Sequence, residues 1–568
     1  MPDSITESLL PNENRMGSRS CSTDSSSVED LEVGKHYTLE YGSTSPSGSF
    51  SSLDTVTAFE TRQSIQKNTI DVPQGRHLGV FSTMILFISR ILGSGIFSVP
   101  SAMYVNCGGN TLLYFLIWSL TAIFVILWII FISGIWCLVT KYRGKKNFLE
   151  QTYDRPRLMM GVTFGIYTVL SGMSLSSAIV FGKYILYALG FDHHIAESYW
   201  CKLISIFIVI AAVLTHGLSI KRGVQIQNAL GSMKLILIML MYCTGLYALL
   251  FYSPSESYNT AWNSSWTSFQ DKNMISTSSI AAAFISSFFC FSGWDSVHAV
   301  TSEIKNPTRT LKIAGPLSLF VCLICYLLMN VAYLKLLTYE EIKNAGPLVG
   351  QVLYTKLFGA ELGGRLVSLS IALSSVSNML VVIYGTSRMN QEVFKEGYLP
   401  YSKLFLKEIY GNPTFPAILV CGGLTAIWIL ILPSQGPSFD YLISMEGWGN
   451  QVFLLLIAIG LFIYRYRHRN DDAEDKPTIK ASPIGVLGII LVSSYMVIAP
   501  FIGDQSNNSV GFLPPYQVTS LLIISLCFFV WLVRFSILPW LFNYTLKPKL
   551  LFLKDGLLVT QWVKKYSY

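Results

Sequence analysis

Twelve apolar runs decide what this chain can become. They lie near residues 79–104, 111–138, 157–188, 202–219, 226–251, 276–301, 314–337, 363–387, 415–433, 446–464, 483–503 and 516–541. A helix rises about 1.5 Å per residue, so about 20 residues cross a hydrocarbon core of about 30 Å. Each run is long enough to span, and the longest must tilt. Only 13% of the residues are charged, against about 25% in a soluble domain. The chain therefore reads as an all-α integral membrane protein with twelve transmembrane helices.

The net charge of +8 is no sign of nucleic acid, because it is concentrated in alternate loops. With the amino terminus in the cytoplasm, the inner loops hold Lys145, Lys146, Arg155 and Arg157. They also hold Lys221, Arg222, Lys305, Arg309, Lys312, Lys395, Lys403, Lys407, Arg465 and Arg467. The outer loops offer little beyond Lys272, Lys343 and Lys356. Loops rich in Lys and Arg stay in the cytoplasm, so both termini are expected inside. Sequons at Asn263 and Asn507 fall outside, and one at Asn543 falls inside.

Residues 1–75 are rich in Ser, Thr and Gly and too poor in apolar residues to fold alone, so a disordered cytoplasmic tail is expected. Its Lys35 and Lys67 lie in Ser-rich, acidic sequence and make it a candidate for phosphorylation and for ubiquitin-ligase machinery. Residues 76–541 form the twelve-helix body. Its halves are 79–251 and 276–464, its two extra helices lie in 483–541, and residues 542–568 are a second cytoplasmic tail. Most of the ten cysteines lie in apolar runs. Cys107 and Cys201 both fall near the outer face, and whether they pair is left open. No spacing suits a metal, no nucleophile–base cluster suggests an enzyme, and no cofactor is expected.

Two of the runs are interrupted. The first contains "SRILGSGIFSVP" from Ser89, and the sixth contains "FFCFSGWDSVHAVTSEIKNP" from Phe288. Five runs separate them, so breaks recur at matching places in two five-helix halves. Unpaired backbone groups in hydrocarbon cost several kcal/mol each, so a broken helix survives only facing protein or a watery cavity. The new N-terminus offers N–H groups that suit a carboxylate. The new C-terminus offers carbonyls that suit an ammonium. Two such breaks at the midplane make a socket for a zwitterion. Gly-x-Gly alone serves close helix contacts as well; the matched second break and a charge beside each one favour a site.

At these residues the chain resembles the amino acid–polyamine–organocation transporters. The likeness is carried by "GSGIF" at Gly93–Phe97, by "FSGWD" with "SEIKNPTRTLK", and by "SRMNQEVFKEGYLP" from Ser387. It covers the chain after about Arg76. Within that family, "PQGRHLGVFST", "KKNFLE", "FISSFFCFSGWD" and "DGLLVTQWVKK" are most like the fungal methionine permeases of low affinity. The resemblance implies a LeuT-like fold: a 5+5 inverted repeat with two extra helices. It implies secondary import of an amino acid across the plasma membrane, with L-methionine favoured and protons as the coupling ion. A broader neutral or sulfur amino-acid permease, one for cysteine among them, is the alternative. A non-transporting sensor derived from a transporter is the rival of a different class.

On this reading Gly93, Ser94 and Gly95 present backbone N–H groups to the substrate carboxylate. Carbonyls near Ile91, Leu92 and Phe289 take the ammonium. Phe289, Phe291, Ser292, Gly293 and Trp294 make the sixth-helix side of the pocket, with Phe289 as a thin gate. Lys234 lies in the hydrocarbon layer, where an ionisable residue is a functional candidate. By the resemblance it stands where sodium-coupled relatives bind Na⁺; the alternative is snorkelling to the interface. Arg90 is expected to pair with Asp295, or alternatively with Glu303. His216 and His298 are read as packing donors before proton relays, and Glu446 as an outer-interface residue opening the tenth helix. One departure stands out. The Glu, Pro and Gly-Gly with which the family ends its second helix are replaced by Gly134, Thr140 and Arg143-Gly144.

Overall fold

The computed structural model describes residues 79–93, 95–138, 145–171, 174–191, 198–252, 259–263, 266–294, 304–433, 438–467, 482–502, 509–552 and 558–566. The first span is in pieces: α1 (Val80–Ile91), α2 (Gly95–Ser98) and α3 (Pro100–Asn106). The second is α4 (Thr111–Leu138), followed by a short connecting helix, α5 (Lys145–Thr152). The third is α6 (Met159–Ser171) and α7 (Leu175–Ala188), the fourth α8 (Tyr199–Leu218), and the fifth α9 (Ile220–Leu250). The second half runs through α10 (Thr277–Cys290), α11 (Pro307–Leu336), α12 (Tyr339–Ala345), α13 (Val349–Gly359), α14 (Val367–Lys395), α15 (Phe415–Ile431) and α16 (Ser438–Arg467). The last helices are α17 (Pro483–Ile498), α18 (Tyr516–Trp531) and the single turn α19 (Leu538–Leu541).

Among the described residues, nine helical stretches are long and apolar enough to cross a membrane. The first span is split, and α10 and α15 are shorter. Local chemistry sets the helix starts. Ser276 and Ser279 form a capping box at α10, and Thr338 and Glu341 form one at α12, each satisfying two orphan N–H groups. The interior holds Trp118, Trp128 and Tyr184, none of them more than 1% exposed. Yet Phe207, Ile236 and Phe251 are 70–74% exposed. A bundle apolar inside and out has lipid as its solvent.

The halves pack as counterparts. Pieces α2 and α3 of the first span lie against α10, α4 against α11, α7 against α14, and α8 against α15. Four of the five helices of one half thus touch the helix five places later. That is the contact pattern of two repeats related by a pseudo-twofold axis. Because five is odd, counterparts cross in opposite directions, so the repeat is inverted.

The sequence reading leaves 542–568 as a tail, but the chain is not purely helical there. Strands β1 (Tyr544–Phe552) and β2 (Leu558–Tyr566) pair antiparallel, with Tyr544 opposite Tyr566. The hairpin is docked. Trp562 Nε1 donates to the Glu396 carbonyl at 3.0 Å, and Lys403 Nζ donates to Gln561 Oε1 at 2.8 Å. The Trp562 ring lies edge-on to Phe535, with centroids 5.3 Å apart. Substitution Trp562→Ala removes this anchor. Limited tryptic proteolysis should then cut at Lys549 and Lys564 in the variant and spare the parent; equal resistance would show that the anchor is dispensable.

The same end carries a charged knot. Lys146 Nζ lies 3.8 Å from Glu150 Oε2 and 3.6 Å from Glu396 Oε1, and Tyr398 Oη donates to Glu150 Oε2 at 3.4 Å. Burial pushes the Glu150 carboxyl up from its ordinary range, and Lys146 pulls it partly back. The knot joins α5 to the foot of α14, directly under the docked hairpin.

Candidate functional site

Helix α1 stops because Leu92 leaves the helical backbone (ψ 101°), its own N–H closing on Ile88 O at 2.9 Å. Gly93 follows, and the backbone turns helical again at Gly95. Pro100 opens α3 as its first residue, where its missing N–H costs nothing. Helix α10 ends at Cys290. The Phe291 and Ser292 N–H groups turn back to Ser287 O (3.3 Å) and Phe289 O (3.0 Å). Gly293 then adopts φ +95°, which side chains rarely allow.

The two breaks touch. A Cβ at Gly95 would lie 3.3 Å from Cys290 Sγ, 3.6 Å from Cys290 Cα and 3.7 Å from the Phe289 ring. A Cβ at Gly293 would lie 2.9 Å from the Arg90 carbonyl oxygen. The glycines are therefore used on both sides, and the backbones of the first and sixth spans run in contact.

Tyrosines from neighbouring helices take up the freed carbonyls. Tyr326 Oη, fully buried on α11, shares its one proton between Cys290 O at 2.8 Å and Ile91 O at 3.2 Å. One hydroxyl thus bridges the last carbonyls of both broken helices. Tyr333 Oη, about two turns further along the same face of α11, donates to Ile96 O at 3.0 Å, and Tyr184 Oη of α7 donates to Phe97 O at 2.8 Å. Asn378 of α14 closes the other side. Its side chain would sit 3.8 Å from a Cβ at Gly93, and its Nδ2 donates to Ser177 Oγ of α7 at 3.2 Å. Sequence reading missed all four. Tyrosines and an asparagine in apolar helices were the available signal, since a polar side chain at that depth needs a partner.

The expected site residues fall into groups. Ile91 and Leu92 are buried, and the Ile91 carbonyl has Tyr326 as a donor. It keeps one lone pair for an ammonium. Gly93 and Gly95 line the break. Phe289 is half-buried beside Gly95, and Ser292 is exposed. The side chains of Phe291 and Trp294 turn elsewhere. Phe291 lies edge-on to Trp118 (5.9 Å) and Tyr326 (5.2 Å), and Trp294 stacks on Trp128 at 6.4 Å. These two rings wedge the sixth span against α4 and α11. Ser94, Asp295, Glu303 and His298 lie outside the described residues, and so do the Arg90 pairings drawn to Asp295 and Glu303.

Lys234 is 4% exposed on α9, so snorkelling to an interface does not describe it. One turn before it, Gly231 faces Ser377 Oγ of α14, next to Asn378. Arg90 is close enough for the two like charges to interact. Among the described residues no carboxylate pairs with Lys234. His216 is fully buried and stacks on Tyr384, centroids 5.3 Å apart. Cys107 and Cys201 are both free thiols. Glu446 does not open the tenth span: α16 begins at Ser438, placing Glu446 two turns inside.

An inverted repeat with two broken helices in contact is the architecture of a secondary transporter. The chain belongs to the amino acid permease family, whose sequence profile matches residues 78–529. It is 56% identical to the low-affinity methionine permease of Saccharomyces cerevisiae, over 94% of this chain and 96% of that one. The high-affinity methionine permease of the same yeast is 25% identical over 94% and 92%. A b(0,+)-type amino acid transporter of Rattus norvegicus is 23% identical over 76% and 84%.

Proposed function

We propose that this protein imports L-methionine across the plasma membrane by alternating access, coupled to protons, with both termini in the cytoplasm. The observation that carries the reading is the contact between two broken helices, with Gly95 against Cys290 and Gly293 against the Arg90 carbonyl. N–H groups at Gly93, Ser94 and Gly95 take the carboxylate, and carbonyls at the ends of α1 and α10 take the ammonium. Cys290 and Phe289 beside that socket favour a thioether, since sulfur–aromatic contacts contribute about 0.3–1.5 kcal/mol. The likeness to a methionine permease supports the same choice. The concentration of Lys and Arg at one end of the bundle supports the orientation. A non-transporting sensor has no support, because the relatives named above are permeases and transporters.

Transport by this route makes and breaks no covalent bond. Lys234 supplies a positive charge beside the first break, and its protonation is linked to substrate binding. The amino-terminal tail, with Lys35 and Lys67, is the place for ubiquitin-dependent removal from the surface.

The test is uptake of labelled methionine by permease-deficient cells expressing this chain, across about pH 5–8, with and without Na⁺, and with unlabelled cysteine and other neutral amino acids as competitors. Uptake should rise with acidity and ignore Na⁺. Stronger competition by cysteine than by methionine would move the assignment to the broader permease. In Lys234→Met, uptake should fall about tenfold or more, and what remains should no longer follow pH. A pH profile like the parent's would remove Lys234 from coupling.

A further inference from the structure

The transport reading leaves the half-buried carboxyl of Glu446 without work. Glu446 lies about 12 Å along α16 from the helix start. It lines a cavity of about 20 Å³ enclosed by α6, α7, α16 and α18, together with Tyr167, Ser171 and Ser520. That is room for about one water molecule. Ser520 is committed, donating to Met445 O at 2.6 Å and Tyr516 O at 2.9 Å. Ser171 is also committed, donating to Tyr167 O at 2.8 Å. Among the described residues Glu446 has neither an ion pair nor a hydrogen-bond partner.

The surroundings offer it no counter-charge. The Tyr167 phenol from α6 faces it, and Cys527 from α18 lies near that same phenol. Helices α10 and α17, both packed on α16, contain no charged residue. The α17 tyrosine, Tyr495, is turned to Thr277 O at 3.2 Å. On α16 itself Asp440 lies nearer the start and interacts with Lys183 of α7. A lone carboxylate taken out of water costs several kcal/mol. Its ionised form therefore needs water to reach it, and the cavity is the place for that water.

We propose that Glu446 is a proton-binding site of the transport cycle, loaded and unloaded through this one-water cavity. The cavity lies apart from the two helix breaks, between the third span and helices α16 and α18. A third span moving relative to α16 opens or closes the cavity, which links the proton to the conformational change. This rests on the reading of the chain as a proton-coupled transporter.

The experiment uses the full chain in proteoliposomes with a pH dye inside, measuring proton influx on methionine addition and, separately, methionine/methionine exchange. In Glu446→Gln, exchange should stay within about twofold of the parent, while protons moved per methionine fall at least fivefold. Glu446→Asp should restore part of the proton flux. A Glu446→Gln protein with the parent's proton flux overturns the proposal. So does one that has lost exchange together with its thermal stabilisation by methionine, since the residue would then hold structure. If the parent itself moves methionine without protons, the coupling reading fails and this proposal with it. A proton-coupled parent with an unaltered glutamine variant sinks this proposal alone.

Discussion

Replacing Tyr326 with phenylalanine should lower methionine uptake by about ten- to a hundredfold with the protein still in the membrane. The hydroxyl donates to Cys290 O and Ile91 O, the last carbonyls of α10 and α1. That hydroxyl has one proton, shared between the two, so its removal leaves two buried carbonyls with one donor fewer. Each unsatisfied acceptor costs about 1–3 kcal/mol, and about 1.4 kcal/mol is a factor of ten. The loss falls on the spacing of the two broken ends, which the substrate must bridge. A loosened pair is binding-competent for a smaller fraction of the time, so the change should appear mainly in KM. Tyr333→Phe and Tyr184→Phe provide the comparison. Each frees one carbonyl of α2, at Ile96 or Phe97, and neither touches both breaks. Their effects should be smaller. Initial rates against concentration, normalised to surface protein, give the order; Tyr326→Phe no worse than the other two would remove the bridge from the mechanism.

Much of the architecture was legible because lipid imposes it. Apolar runs, basic loops and small-residue breaks are local patterns, and the same physics that inserts the helices writes them. The contact between the breaks was implied by their five-helix offset. Its fastening was not, because Tyr326 approaches Ile91 from a helix more than two hundred residues away in sequence, and no local pattern records such a partner. Phe291 and Trp294 were grouped with the pocket because the break is contiguous in sequence. The turn at Gly293 and the packing against Trp118 and Trp128 separate the side chains from the break.

Glu446 was misplaced for a related reason. Asp440 reads as a loop residue and delays the apparent start of the tenth span, whereas it lies inside α16 near Lys183. The carboxyl-terminal hairpin was lost to its own composition. Lysines 547, 549, 564 and 565 mask a strand alternation that becomes visible only once Trp562 has a surface to dock on.

Two glycines of the site separate packing from binding. At Gly293 the backbone is at φ +95°, and an added Cβ would lie 2.9 Å from the Arg90 carbonyl oxygen. Neither a conformational change nor a side-chain shift relieves a backbone oxygen, and a strained non-glycine conformation alone costs about 1–3 kcal/mol. Gly293→Ala should therefore separate the two breaks, lower the thermal midpoint and abolish uptake together. At Gly93 an added Cβ would meet only the Asn378 side chain, at 3.8 Å, an ordinary contact. Gly93→Ala should leave the thermal midpoint of the ligand-free protein close to the parent's. Its methyl group nevertheless stands where a carboxylate would have to approach the backbone, so uptake should fall by about tenfold or more and thermal stabilisation by methionine should vanish. The pair of thermal scans, with and without methionine, distinguishes the two outcomes. A Gly93→Ala protein that transports as well as the parent would place the substrate away from the first break, whatever Gly293→Ala does.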